Sequence, residues 1–166
     1  MKTPQWIKKL GGHAGELFVA AELSKRGIPN VLLPENFSDD DILIADKPGN
    51  SLGYVQVKAC HPTRSESFIL EDSAEEWKTA SDNHYVVFVW LGDPEKNEPP
   101  RFWIAKKSDV GEACVKHAAH GTNNWERRFY PEDLNPKWEN NWKIFGKYVP
   151  TIREYLKVNE KGSKKR

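Results

Sequence analysis

Residues 53–59, GYVQVKA, place the tightest constraint on how this chain can fold, because they read as a buried strand that carries a glutamine and a lysine. Side chains alternate across a strand, so the two valines and the alanine share one face and form core. Gln56 and Lys58 share the other face with Tyr54. An isolated pair of this kind is most often a half-exposed sheet face, so a functional interpretation needs further residues nearby.

The rest of the chain alternates helical and strand patterns. Helices are predicted at 13–27, 73–80, 108–120 and 149–158, and strands at 30–34, 41–45, 53–60, 67–70, 85–91 and 102–105. We expect the last strand to pair with its very hydrophobic predecessor, YVVFVWL. This order predicts an α/β fold with a mixed sheet (helix, three to four strands, helix, strand) flanked by helices, followed by an aromatic-rich C-terminal extension.

The first helix carries an acid on its apolar side. Helical spacing groups the apolar positions Leu17, Ala20, Ala21 and Leu23 on one side, and Glu22, Lys25 and Arg26 on the other. Glu16 falls within the apolar side. Either the N–H groups of the first helical turn satisfy this carboxylate, or it faces a partner on the sheet.

A second acid stands at the start of a predicted strand. Asp41 closes the turn sequence SDDD and directly precedes the apolar run ILIA. It is either an ordinary turn residue or a side chain that reaches solvent at the mouth of the strand. If the strand begins one residue earlier, Asp40 takes the same place.

Length and charge limit the class of protein. A chain of 166 residues fits one domain, which we place at residues 1–156, with a core at about 12–106. Residues 157–166 carry five basic side chains and one acidic, and we expect this tail to be disordered. The N-terminus lacks a secretory h-region, no membrane span is apparent, and two cysteines cannot form a disulfide framework, so a cytoplasmic protein is expected.

Glu16, Asp41 and the Q-x-K of Gln56 and Lys58 together resemble the PD-(D/E)XK nuclease superfamily, whose fold is restriction-endonuclease-like. The similarity covers roughly residues 12–92 and includes the branches of Holliday-junction resolvases and methylation-dependent restriction enzymes. It implies metal-dependent hydrolysis of phosphodiester bonds by an endonuclease. The implied substrate is DNA, with branched or modified DNA among the candidates, and a homodimer is a reasonable expectation.

The resemblance also implies a role for each residue. Asp41, Gln56 and the Val57 carbonyl would hold Mg²⁺ or Mn²⁺, and Glu16 would bind a second ion or orient a water molecule. Lys58 would stabilise the charge of the transition state or position the nucleophile.

Gln56 departs from the usual pattern, since most members have an acid there. The substitution removes one negative charge and predicts weaker metal binding. Catalysis is still favoured, but the alternative is an inactive nuclease-fold module that binds nucleic acid or a protein partner. An RNA-processing enzyme is a third interpretation. The class of substrate, RNA or DNA, distinguishes it from the other two.

Several other residues have a functional and a structural interpretation. A zinc site formed by Cys114, His117 and His120 is disfavoured because the spacing is not that of a standard finger. Trp125, Trp138 and Trp142 could stack on unpaired bases but more simply pack the C-terminal segment onto the sheet. Ser65 and Ser67 are modest candidates for phosphate contact, as is His13, which more simply begins the helix.

Overall fold

The structure is a computed structural model that describes residues 4–35, 38–46, 49–61, 67–70, 72–116 and 127–149. Its helices are α1 (Gln5–Lys25) and α2 (Lys107–Lys116), with 3-10 helices at Asp72–Thr79, Pro94–Lys96, Pro131–Asp133, Pro136–Trp138 and Trp142–Tyr148. Its strands are β1 (Asn30–Leu32), β2 (Ile42–Ala45), β3 (Leu52–Cys60), β4 (Phe68–Leu70), β5 (His84–Trp90), β6 (Arg101–Lys106) and β7 (Arg127–Phe129). The predicted last helix lies outside the described residues except for Val149, and the basic tail lies wholly outside them.

Five strands form one mixed sheet in the order β1-β2-β3-β5-β6. β3 and β5 are parallel, with Val55 opposite Tyr85, and the other neighbours are antiparallel. β6 pairs with β5 as predicted. β4 lies apart and pairs with β7 in a two-stranded sheet. The predicted class, a mixed α/β sheet flanked by helices, is therefore confirmed.

β5 organises two cores because both of its faces are buried. Tyr85, Val87 and Val89 point into the core beneath α1, whereas Val86 and Phe88 point into the core beneath α2. This double burial explains why the strand sequence is continuously apolar instead of alternating.

The C-terminal segment closes the first core with aromatic rings. Trp142, Phe145 and Tyr148 are buried there, and the rings of Phe145 and Tyr85 lie 4.8 Å apart in an edge-to-face arrangement. Trp138 packs against the second core. The packing interpretation is thus confirmed for Trp138 and Trp142, while Trp125 lies outside the described residues.

α1 departs from its prediction in extent and in rotation. It begins at Gln5, well before His13, and ends where Gly27 adopts a left-handed φ of 76°. Its buried positions are Gly15, Val19 and Leu23, whereas Leu17 is 49% exposed and Ala21 is also exposed.

The apolar pattern of α1 predicted the buried side correctly at Leu23 but not at Leu17 or Ala21, because a glycine contact with the sheet sets the rotation of the helix. A Cβ built on Gly15 would lie 2.6 Å from the Ala59 Cβ, so only a glycine lets the helix approach β3 this closely. Apolar periodicity gives glycine no weight, so the pattern does not show that Gly15 faces the sheet.

One further prediction needs correction. The predicted helix at 73–80 is a 3-10 helix, Asp72–Thr79. Of the residues in the disfavoured zinc site, Cys114 is buried in the second core, and His117 and His120 lie outside the described residues, so that expectation stays untested. Within the described ranges, no helix has the length and apolar character to cross a bilayer.

Candidate active site

A cleft opens where β3 runs past the end of β2. β2 pairs with Leu52 to Val55 of β3, and residues 56–60 continue beyond it. α1 covers one side of this extension, and the chain between β1 and β2 borders the other. The cleft has a volume of about 800 Å³, and Glu16, Asp41, Gln56, Val57 and Lys58 all line it. The structure therefore brings all the predicted site residues together from three separate segments.

Backbone contacts on two sides fix Asp41 at the cleft. The Asp41 N–H donates to the Val55 carbonyl at 2.9 Å, and the Asp41 carbonyl accepts from the Leu33 N–H at 2.8 Å. Its carboxylate accepts a hydrogen bond of 2.6 Å from the Val57 N–H. Burial raises the pKa of the Asp41 carboxyl, and the Val57 N–H and the nearby Lys58 ammonium partly offset that rise.

Asp40 serves a different part of the molecule. Its carboxylate is buried, 3.2 Å from the Lys107 Nζ and 3.3 Å from the His84 Nδ1. This ion pair connects the start of β2 to the start of α2. Of the two neighbouring acids, only Asp41 lines the cleft.

Gln56 is buried in an unusual way. Its side chain is on the polar face of β3 as predicted, but the residue is only 3% exposed, so this face is not half-open to solvent there. The Gln56 Oε1 atom has no hydrogen-bond partner among the described residues. A buried amide oxygen without a partner costs roughly 1–3 kcal/mol. A divalent cation bound in the cleft would accept that oxygen as a hard ligand and remove the penalty.

Val57 supplies a second neutral oxygen. The N–H and C=O of one strand residue lie along the same strand edge, and the Val57 N–H points to Asp41. The Val57 carbonyl accordingly belongs to the edge that borders the cleft.

Glu16 faces the cleft from the middle of α1. Because α1 begins at Gln5, the N–H groups of its first turn do not reach Glu16, and that interpretation of the acid is wrong. Burial raises the pKa of Glu16, and the Asp41 carboxylate raises it further. His13 is not the start of the helix either; its Nδ1 lies 3.7 Å from the Glu16 carboxylate and lowers the Glu16 pKa.

Lys58 is half-buried beside Asp41, and its positive charge lowers the pKa of the Asp41 carboxyl. It lines the cleft and also a smaller pocket on the far side, so its side chain stands at the junction of two cavities. Lysine's flexible stem and compact charge suit contact with a phosphate oxygen.

The donor set of the cleft fits a hard divalent cation: two carboxylates, an amide oxygen and a carbonyl. Within the described part of the chain, no three His, Cys, Asp or Glu side chains are grouped so as to hold a metal. Gln56 is not one of these side-chain types, and it offers an amide oxygen without a charge.

Sequence reasoning missed several residues of the cleft. Lys9 and Glu35 form an exposed ion pair of 3.1 Å among the residues that line it, and Gly12 lines it from α1. Of these three residues, only Gly12 had a signal in the sequence: it is one of two adjacent glycines that interrupt a helical pattern. Ser67 lies outside the cleft, with its Oγ 3.4 Å from the Arg128 Nη1, and Ser65 is outside the described residues.

Comparison with known proteins finds few relatives. No family model matches the chain, and no curated protein matches it. Among solved structures, a bacterial homing endonuclease, I-Ssp6803I, is similar at 15% sequence identity with a TM-score of 0.48, over 89% of this chain and 98% of that chain. Because the identity and the TM-score are low, a functional proposal for the present chain depends on its own cleft.

Proposed function

We propose that this protein is an endonuclease that hydrolyses phosphodiester bonds of DNA with Mg²⁺ or Mn²⁺. One observation carries the proposal: Gln56, whose buried Oε1 has no hydrogen-bond partner among the described residues, lines the same cleft as Asp41, Glu16 and Lys58. A polar atom in that state indicates a ligand, and the surrounding carboxylates indicate that the ligand is a cation. The PD-(D/E)XK pattern of the sequence agrees with this donor set.

Asp41, the Gln56 amide and the Val57 carbonyl would hold the ion, with Glu16 completing the site or orienting a water molecule. When bound, a divalent cation polarises a phosphoryl oxygen and neutralises charge on the leaving oxygen. The Val57 N–H holds one Asp41 oxygen in place, so the carboxylate is oriented before the ion arrives.

The remaining chemistry belongs to Lys58 and Glu16. Lys58 donates hydrogen bonds to phosphate oxygens and stabilises negative charge that grows in the transition state. Glu16, whose pKa is raised, accepts a hydrogen bond from the attacking water and can take its proton.

The second candidate is a nuclease-fold module that binds nucleic acid without cutting it. The observation that favours it is that, among the described residues, no three His, Cys, Asp or Glu side chains are grouped so as to hold a metal ion. Metal-dependent cleavage of DNA distinguishes the endonuclease from the binding module.

The deciding experiment is cleavage of plasmid and branched DNA in Mg²⁺ or Mn²⁺, with EDTA as the metal-free control. We expect cutting by the wild type, and its loss in Lys58→Ala. Lys137→Ala, at an exposed lysine outside the cleft, is the matched control and should cut normally. Cutting that persists in EDTA or in Lys58→Ala contradicts the proposal. DNA that is bound but not cut by the wild type favours the binding module.

A further inference from the structure

A second cavity adjoins the cleft. It has a volume of about 260 Å³ and lies between the N-terminal half of α1 and the end of β3. Gly12, Val57 and Lys58 line both cavities, so the two lie side by side. A ligand group held beside Lys58 could therefore extend into this second cavity, which we call the side pocket.

The side pocket has an apolar wall and a basic one. Its apolar residues include Ile7, Ala59, Ile69 and Leu91, which come from four different segments. Lys8 and Lys58 supply positive charge, and His61 and Ser67 supply polar atoms. This combination suits a flat, largely apolar group with polar edges that is attached to an anion.

Two glycines keep the helix side of the pocket bare. Gly11 and Gly12 lie inside α1, where each glycine costs about 1 kcal/mol of stability relative to alanine. A Cβ built at either position meets nothing within 4 Å, so packing within the described protein does not require them. Gly15 differs, because it is in tight contact with Ala59. Open space at Gly11 and Gly12 is what a ligand in the side pocket would need.

We propose that the side pocket receives a nucleobase that has left the helical stack next to the phosphate at Lys58. The inference rests on the proposed function, because the cleft must hold the phosphate to which the base is attached. Extruding a base costs a few kcal/mol in intact duplex and least where the nucleotide is mismatched or unpaired. The preferred substrate is therefore DNA with an unpaired or mismatched nucleotide at the site of cleavage.

The test uses DNA duplexes that carry the fluorescent adenine analogue aminopurine, either paired or mismatched, with Ca²⁺ in place of Mg²⁺. Unstacking raises the fluorescence of this base, and the described lining of the side pocket contains no Phe, Tyr or Trp ring on which the base would stack again. We expect a rise when the wild type binds the mismatched duplex. Gly11→Leu fills the pocket from the helix side and should abolish the rise and weaken binding of mismatched DNA about tenfold, while binding of intact duplex changes little.

Ala21→Leu is the matched control, since it adds the same side chain at an exposed position of α1 away from both cavities. It should behave as the wild type. Circular dichroism and thermal melting check that Gly11→Leu is folded, and leucine at this position should stabilise the helix.

The outcomes separate the two proposals. A rise that Gly11→Leu leaves unchanged, or no rise with DNA that the wild type cuts in Mg²⁺, overturns the side pocket but not the nuclease. A rise that Gly11→Leu removes supports the side pocket even if no cutting occurs, in which case the nuclease proposal alone fails. Failure to bind any of the duplexes overturns both.

Discussion

The Val57 N–H donates a hydrogen bond of 2.6 Å to the Asp41 carboxylate, across 16 residues of sequence. This contact occupies the edge of β3 just where the pairing with β2 ends. It satisfies a backbone donor that the sheet leaves over, and it fixes an acid at the mouth of the cleft. The same strand edge carries the Val57 carbonyl, so one local arrangement supplies two of the four proposed oxygen ligands.

Neutralising Asp41 should weaken metal binding without unfolding the protein. Asp41→Asn keeps an oxygen that can accept from the Val57 N–H but removes the charge, so Mg²⁺ affinity should fall about tenfold or more. Isothermal titration calorimetry measures this. Unchanged affinity would show that Asp41 is not a ligand.

Asp40→Asn, at the neighbouring acid, should have the opposite effects: it should lower the stability of the protein but not its Mg²⁺ affinity. It leaves the buried Lys107 ammonium without its carboxylate, so we expect a loss of roughly 3–5 kcal/mol in the free energy of unfolding. Mg²⁺ affinity of the folded protein should stay close to that of the wild type. Urea unfolding and calorimetry on the same preparation test both parts, and a loss of affinity without a loss of stability would contradict the assignment.

Metal binding should depend on pH above the usual carboxyl range. The pKa values of Asp41 and Glu16 are both raised, chiefly by burial, so protons compete with the ion to higher pH than at ordinary carboxylates. Mg²⁺ affinity should rise with pH until both groups are ionised. Calorimetry across a pH series measures the curve, and Asp41→Asn should flatten it.

Without metal, the stability of the fold should depend on pH in the opposite direction to the Mg²⁺ affinity. A carboxyl whose pKa is higher in the folded state stabilises the fold below its unfolded pKa, and that contribution is lost as pH rises through the folded value. The stability contribution of Asp41 and Glu16 therefore falls with rising pH in EDTA, and Mg²⁺ should restore it. Thermal melts with and without Mg²⁺ provide the check; melting temperatures that respond to pH identically in both conditions would contradict it.

Gln56→Glu should tighten Mg²⁺ binding by adding a third negative charge beside Asp41 and Glu16. Without metal the same variant should be less stable at neutral pH, because it buries another carboxylate near two others. Gln5→Glu, at the exposed first residue of α1, is the matched control: it should leave Mg²⁺ affinity unchanged and should not lower stability, because a carboxylate is favourable at a helix N-terminus. Weaker Mg²⁺ binding in Gln56→Glu would mean that this side chain does not face the ion.

Alanine substitutions at Gly11 and Gly15 of α1 should have opposite effects on stability. Gly11→Ala should stabilise the protein by about 1 kcal/mol, since the new methyl group meets open space. Gly15→Ala should destabilise it by roughly 1–3 kcal/mol, since the methyl group would overlap Ala59 of β3. Chemical denaturation compares the two; a loss of stability in Gly11→Ala would show that the helix packs against something at that position.

Sequence patterns located the strands well, both in alternating and in continuously apolar runs. The strand predicted at 53–60 is β3 with one added residue, and the run at 85–91 is β5 shifted by one. They failed for α1, because Gly11 and Gly12 look like a break in a helix that in fact continues through them. They also failed at Leu17, because the rotation of the helix depends on the Gly15 contact with Ala59 and not on apolar periodicity.

The sequence by itself determined the class of fold and the set of polar residues that stand at strand starts and on the apolar side of a helix. Alternation and helical spacing are local properties, so Gln56, Lys58, Asp41 and Glu16 could each be assigned to an element. Only the tertiary structure decided that these four meet in one cleft, that Asp41 and not Asp40 lines it, and that the Gln56 oxygen is buried without a partner among the described residues. These facts depend on the point at which β3 extends beyond the end of β2 and on how closely α1 approaches β3. Contacts between residues that are far apart in the sequence determine both.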